Sequence, residues 1–195
     1  MSSRNVPSGV DLFAAIAAGD EDRVRELIAA DRDVLDASDE RGLSPVLAAK
    51  YVGQNRIAGI VADAGTVDVF DAAATGRVDE LRATLRELPE SAALRSSDGF
   101  TALHYAAFFA DGPTVAVLLD AGADPSAVAE NPMRVQPLHS AAAARNLEGA
   151  RHLLAAGADP NAEQQDGFLP LDAAVQNDDR ELQELLRANG ARTSR

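Results

Sequence analysis

The strongest constraint in this 195-residue chain is that it repeats itself. Thr101-Ala-Leu-His-Tyr-Ala-Ala is followed by Gly122-Ala-Asp-Pro, and Gln136-Pro-Leu-His-Ser-Ala-Ala by Gly157-Ala-Asp-Pro-Asn. Leu169-Pro-Leu-Asp-Ala-Ala is likewise followed by Gly190-Ala, and in all three the glycine lies 21 residues after the start. The same template fits Ser44-Pro-Val-Leu-Ala-Ala with Gly65, Val67-Asp-Val-Phe-Asp-Ala-Ala with Gly76, and Val10-Asp-Leu-Phe-Ala-Ala with Gly19. The six starts are 10, 44, 67, 101, 136 and 169, at intervals of 34, 23, 34, 35 and 33. Units this short bury a core only by stacking on their neighbours.

Each unit reads as a pair of helices. Ser44-Pro45 places a hydroxyl cap before a proline in the first helical position, and Pro137 and Pro170 repeat that start. Gly65, Gly122, Gly157 and Gly190 fall where the second helices end, a place that favours a left-handed cap. In the second helices, apolar residues recur at helical spacing: Val24, Leu27 and Ile28; Ile57, Ile60 and Val61; Leu81 and Leu85; Val115, Leu118 and Leu119; Leu153 and Leu154; Leu182, Leu185 and Leu186. The first helices carry Ala72-Ala73, Ala106-Ala107 and Ala141-Ala142. With 40 alanines and only 4% aromatic residues, the buried surface comes mostly from small side chains, which let helices approach closely.

This pattern resembles the ankyrin repeat, in which Thr-Pro-Leu-His-x-Ala-Ala is followed by a Leu-Leu helix and Gly-Ala-Asp at a period of about 33 residues. The resemblance runs from Val10 to Arg192. It implies an all-α solenoid of about six helix-turn-helix units joined by short β-hairpin fingers. Residues 10–192 are expected to form one domain, with 1–9 a flexible N-terminus and 193–195 a tail. The 23-residue interval leaves only Thr66 between Gly65 and Val67. It is short by about ten residues, the length of a finger. The second and third units should therefore meet in a tight turn, leaving fingers near Leu35–Leu43, Pro89–Phe100, Ala123–Val135 and Ala158–Phe168. Units one and three share Val-Asp-[Leu/Val]-Phe, which marks unit three as a former N-terminal cap now inside the array. At the other end Gln183, Glu184 and Arg187 give the last helix a polar outer face suited to capping.

Several positions depart from the family pattern. The glycine expected between the two helices is Ala110, Arg145 and Asp178 in units four to six, so these turns are strained or displaced to Gly112 or Asn146. Gln136 and Leu169 replace the motif threonine and weaken the hydroxyl caps of the last two units.

Charge and composition narrow the function. Thirty-one acidic against eighteen basic residues give a net charge of −13, the wrong sign for nucleic acid or anionic membrane as a partner. There is no cysteine, which excludes disulfides, thiolate catalysis and cysteine-ligated metals. The N-terminus makes a poor secretory signal, no run reaches the roughly 20 apolar residues of a membrane span, and a cytoplasmic location is expected. No two histidines have metal-ligand spacing, and the fingerprints of nucleotide and esterase chemistry are missing, so neither metal, cofactor nor reaction is expected. Asp20-Glu21-Asp22 and Asp178-Asp179-Arg180-Glu181 stand at helix starts, where negative charge complements the dipole. His104 and His139 occupy the motif histidine, which the resemblance implies bonds backbone in the adjacent loop. His152 reads as a packing or half-exposed residue on a second helix.

The informative constellation is aromatic. The resemblance implies a concave binding face built from the fingers and from the two positions after each Ala-Ala pair, here Tyr51-Val52, Ala74-Thr75, Phe108-Phe109, Ala143-Ala144 and Gln176-Asn177. Phe100 and Phe168 fall at finger ends, with Leu43 and Val135 in the matching places, and Arg41, Arg95, Asp98, Arg134, Glu163 and Asp166 supply a polar rim. The expected role is protein–protein interaction, with Phe108, Phe109, Phe100, Phe168, Tyr51, Val135, Leu43, Gln176 and Arg134 in contact with a partner that carries a basic patch. For Phe100 and Phe168 the competing role is to brace the fingers. Other functions consistent with the sequence are a dedicated inhibitor or immunity-type protein of one enzyme, self-association of a chain otherwise expected to be monomeric, and, remotely, an enzyme on a repeat scaffold.

Overall fold

The structure, a computed structural model, describes residues 8–194. Residues 1–7, most of the expected flexible N-terminus, lie outside the described residues, as does Arg195 of the tail. Helices follow in six pairs: α1 (Gly9–Ala18) and α2 (Glu21–Ala30), α3 (Pro45–Tyr51) and α4 (Asn55–Ala64), α5 (Val69–Thr75) and α6 (Val78–Glu87), α7 (Ala102–Phe109) and α8 (Gly112–Asp120), α9 (Pro137–Ala143) and α10 (Leu147–Ala155), α11 (Pro170–Gln176) and α12 (Arg180–Ala188). The chain divides into two compact blocks, Met1–Asp71 and Ala72–Arg195, and the division falls within α5.

Short side-chain caps start these helices. Ser8 and Asp11 form a capping box on α1, the Asp11 amide bonding Ser8 Oγ at 3.3 Å and the Ser8 amide bonding Asp11 Oδ2 at 3.1 Å. Ser44 caps α3 ahead of Pro45, while Asp20, Asp111, Asn146 and Asp179 cap the second helices α2, α8, α10 and α12. One residue of each acidic cluster read at a helix start, Asp20 and Asp179, is thus a cap, worth about 1 kcal/mol.

In the N-terminal block, Leu12, Ile16, Val24, Leu27, Ile28, Val46, Ile57 and Val61 form one buried cluster, against which Phe13, Leu35, Ile60 and Val67 pack. In the C-terminal block the leucines of the second helices, Leu81, Leu118, Leu153 and Leu182, are fully buried. Ala72, Ala73, Ala106, Ala107, Ala141 and Ala142 have 0% exposure. In the C-terminal block α7 packs on α9 and α9 on α11, while α8 packs on α10. A larger side chain at these alanines would overpack the helix contacts, at a cost of about 1–3 kcal/mol.

The fingers are turns rather than paired strands. Each closes on one backbone bond across its base: Asp39 to Leu43 (3.0 Å), Ser96 to Phe100 (2.9 Å), Ala129 to Val135 (2.8 Å) and Gln164 to Phe168 (3.1 Å). A single bridge, Arg95 with Thr101, is the extent of β pairing among the described residues. Successive fingers of the C-terminal block bond one another, Glu130 N–H to the Gly99 carbonyl (2.9 Å) and Gln165 N–H to the Met133 carbonyl (3.1 Å). Gly99 lies so close to the next finger that an added methyl would collide with the Glu130 carbonyl. Between Gly65 and Val69 the chain passes from α4 to α5 with no finger.

One backbone expectation needs correction, and another holds in part. Gly122, Gly157 and Gly190 are left-handed, but Gly65 is extended (φ −117°, ψ −169°), because the chain runs straight on to α5 instead of reversing into a finger. The Arg32 guanidinium meets the free Ala64 carbonyl at that helix end. In the turns between helices, Arg145 (φ 60°) and Asp178 (φ 49°) adopt the left-handed conformation that Gly19, Gly53 and Gly76 take in the first three pairs, whereas Ala110 (φ −115°) avoids it. Arg134 (φ 51°) is strained in the same way, in the turn position that glycines 42, 99 and 167 hold in the other fingers.

A left-handed non-glycine residue costs about 1–2 kcal/mol, part of which a flexible glycine returns. Arg145→Gly and Asp178→Gly are each expected to stabilise the chain by about 0.5–1 kcal/mol. Gly99→Ala is expected to destabilise it. Urea unfolding midpoints at a constant slope check all three.

Candidate functional site

The third residue after each first-helix cap decides how a repeat is fastened. In the fourth pair it is His104, whose Nδ1 accepts the Thr101 amide (3.3 Å) and whose Nε2 lies 3.1 Å from the Val135 carbonyl. A carbonyl only accepts, so Nε2 carries the proton and the ring is the neutral Nε2–H form. His139 repeats this, with Nδ1 accepting the Gln136 amide (3.2 Å) and Nε2–H donating to the Phe168 carbonyl (3.3 Å). Each histidine thus pins its helix to the base of the following finger, and neither ring nitrogen is left for proton shuttling. Burial pushes His104 down to about 4 and lowers His139 as well.

In the second pair no finger follows, and Leu47 stands at the histidine position. There Ser44 Oγ accepts the Leu47 amide (3.1 Å) and donates to Asp71 Oδ1 (2.5 Å), which fastens α3 to the start of α5. Asp71 is buried, and burial, with Asp68 beside it, raises its carboxyl to about 7. In the last pair, Asp172 accepts the Leu169 amide (2.8 Å) and, on its other oxygen, the Ser194 amide (3.1 Å), so residues placed in the expected tail are fastened to the stack.

The aromatic residues of the fourth pair form a column. Phe100 meets the Tyr105 ring edge-on at 5.9 Å, Tyr105 stacks on Phe109 at 6.3 Å, and Phe109 meets Phe108 edge-on at 4.8 Å. The inner member, Tyr105, is buried and donates its hydroxyl to Asp98 (2.5 Å), while Ser96 Oγ bonds both of them. This knot fixes finger 96–100 to α7. The column ends at Phe108, which is 45% exposed.

The remaining candidates separate by burial. Phe109, Phe100 and Phe168 are half-buried, and Gln176 and Arg134 are exposed. Tyr51, in the N-terminal block, is 37% exposed beneath the Arg41 guanidinium, which lies 5.2 Å from its ring centroid. Leu43 (1% exposed) and Val135 (5%) belong to the core and leave the candidate set. The finger bases turn their side chains inward, under the bonds that close each turn. Asn177 is likewise structural, its amide donating to the Ala142 and Ala143 carbonyls. Two residues were missed from the sequence: Tyr105, masked by its place between motif residues, and Met133, 55% exposed on the longest finger. His152 is half-buried.

These features define a helix-pair repeat scaffold that displays side chains from rigid first helices and short turns. Among the described residues no group of three or more His, Cys, Asp or Glu is placed to hold a metal ion, and no helix is long and apolar enough to cross a membrane. Residues 69–164 match the family of ankyrin repeats in three copies, so the chain carries ankyrin repeats. Comparison with curated proteins finds no match. Ankyrin repeats are in general protein–protein interaction modules, typically without catalysis.

The buried groups give opposed pH dependences. The folded pKa of His104 lies below the unfolded value of about 6.5, so its contribution is complete above that value and is lost as pH falls toward 4. The folded pKa of Asp71 lies above its unfolded value, so its contribution is complete below about pH 4 and is lost as pH rises through 7. In Asp71→Asn, stability is expected to rise from pH 4 to 6.5 more steeply than in the native chain; in His104→Gln it rises less. His104→Gln should also cost about 1–3 kcal/mol, since it breaks the buried link to Val135. Urea midpoints across that pH range check both.

Proposed function

We propose that this protein binds a partner protein through the surface around Phe108, without catalysis. The observation that carries this reading is the exposed Phe108 ring standing on a fixed aromatic column. A large apolar side chain held in place by Phe109 and the buried Tyr105 offers contact area at little entropic cost. Alanine takes the equivalent place at 143 and glutamine at 176, so among those three repeats of the C-terminal block the aromatic anchor is particular to one. Arg134 and Gln176 are exposed polar groups of the same block and suit an interface rim. Phe109 and Phe100, half-buried, support the anchor more than they offer contact, and Phe168 is half-buried as well. Tyr51, with Arg41 over its ring, is a second exposed aromatic in the N-terminal block.

Partner charge follows from the net charge of −13, which favours a basic surface and speeds its approach within a screening length of about 8 Å at physiological salt. Affinity capture from the source cell, with the native chain and Phe108→Asp compared after circular dichroism shows both folded, tests the reading. A protein held by the native chain and weakened by about 2 kcal/mol or more in the variant is expected. Equal retention would move the interface off this surface. Light scattering that shows a dimer dissociated by the same substitution would replace the partner with a second copy.

A further inference from the structure

We propose that Lys50 is an acylation site, a half-buried amine that accepts an acyl group from an acyl phosphate or a thioester. Of eighteen basic residues it is the one lysine, and every other is arginine. A chain that uses guanidinium everywhere else carries an ammonium here, and of the two only the ammonium becomes a nucleophile by losing its proton. Its register is equally unusual. Lys50 is the sixth residue after its helix cap, the position of Ala107 and Ala142 in later pairs, both with 0% exposure. A long amine thus stands where those two pairs carry only a methyl group, while the last pair carries the exposed Val175.

Local geometry holds the amine in place. Nζ donates to Asn55 Oδ1 at 2.7 Å, spanning the turn from the end of α3 to the first residue of α4. Tyr51, Val52 and Gly53 next to it are exposed, and Lys50 itself is only half-buried, so the turn gives solvent a route to Nζ. Burial lowers its pKa from the ordinary lysine value, which increases the share of free amine. In the step, the Nζ lone pair attacks the acyl carbon and a C–N bond forms. The bond to phosphate oxygen or thiol sulfur breaks, phosphate or thiolate leaves with the electron pair, and the amine proton passes to solvent. Nothing is oxidised or reduced. The product is a neutral amide that retains one N–H, so the α3–α4 turn loses a positive charge beside Tyr51.

The test uses the full chain with acetyl phosphate and, in parallel, the acetyl thioester of N-acetylcysteamine, followed by peptide mass mapping. Lys50 is expected to acetylate several-fold faster in the folded chain than in the same chain unfolded in urea, and faster than Nα-acetyl-lysine amide. Lys50→Arg should take up acetyl at its α-amine alone. Reaction with one donor only would support the site and name its donor class. A folded chain that reacts no faster than the unfolded one, with both donors, would overturn the proposal. Mapping of the native sequence needs no variant to fold. Since Lys50 lies in the N-terminal block and Phe108 in the other, failure here and failure of partner capture are separate results.

Discussion

Short helices with short turns leave many backbone groups to satisfy, and the arrangement rests on how one side chain per repeat does so. At Asp11, His104, His139 and Asp172 the third residue after the cap reaches back to its own helix start, and the two histidines also reach forward to the base of the following finger. A neutral imidazole suits this position, since it offers one acceptor and one donor on opposite sides of a rigid ring. Replacing it with an acid, as at Asp172, gives two acceptors, and the structure then supplies a second donor in the Ser194 amide. Replacing it with Leu47 removes both functions, and Ser44 with Asp71 fastens the next helix. The missing finger and the missing histidine are two sides of one adjustment.

Much of this was legible in the sequence because the signals are local. Proline after a cap, the alanine pairs, the leucine stripes and the acidic helix starts each act within one turn of helix, and they recur in phase. The absent finger was legible as a shortened interval, and the role of the histidines as a motif position. What escaped depends on neighbours in space. Leu43 and Val135 look like exposed finger-end residues until the finger closes over them, and the extended backbone at Gly65 follows from the missing finger directly after it rather than from glycine itself. Arg134 takes a left-handed conformation that its identity would not foretell, because it stands in the turn position where the other fingers have glycine. Tyr105 was hidden for the opposite reason, since its neighbours in the motif explain so much that its bond to Asp98 has no signature of its own.

The division of labour between repeats follows from these differences. Alanines and leucines carry the packing and vary little from pair to pair, while the position occupied by Tyr51, Phe108, Ala143 and Gln176 changes each time. Packing with small side chains keeps the helices close, so what projects from their exposed face is displayed on a stiff support. In the aromatic column of the C-terminal block, rings join the interior to this face. A substitution at Tyr105 would therefore disturb recognition from beneath the surface.

The pattern of helix contacts has a kinetic meaning as well. Helices of the C-terminal block touch those of adjoining repeats, with α7 against α9, α9 against α11 and α8 against α10. Among the described residues no strand waits for a partner from a remote part of the chain. Contacts between near neighbours in sequence close small loops, for which the entropic barrier is low, and topologies of this kind fold rapidly. During synthesis, a repeat that has emerged has most of its partners already made, so assembly can keep pace with translation.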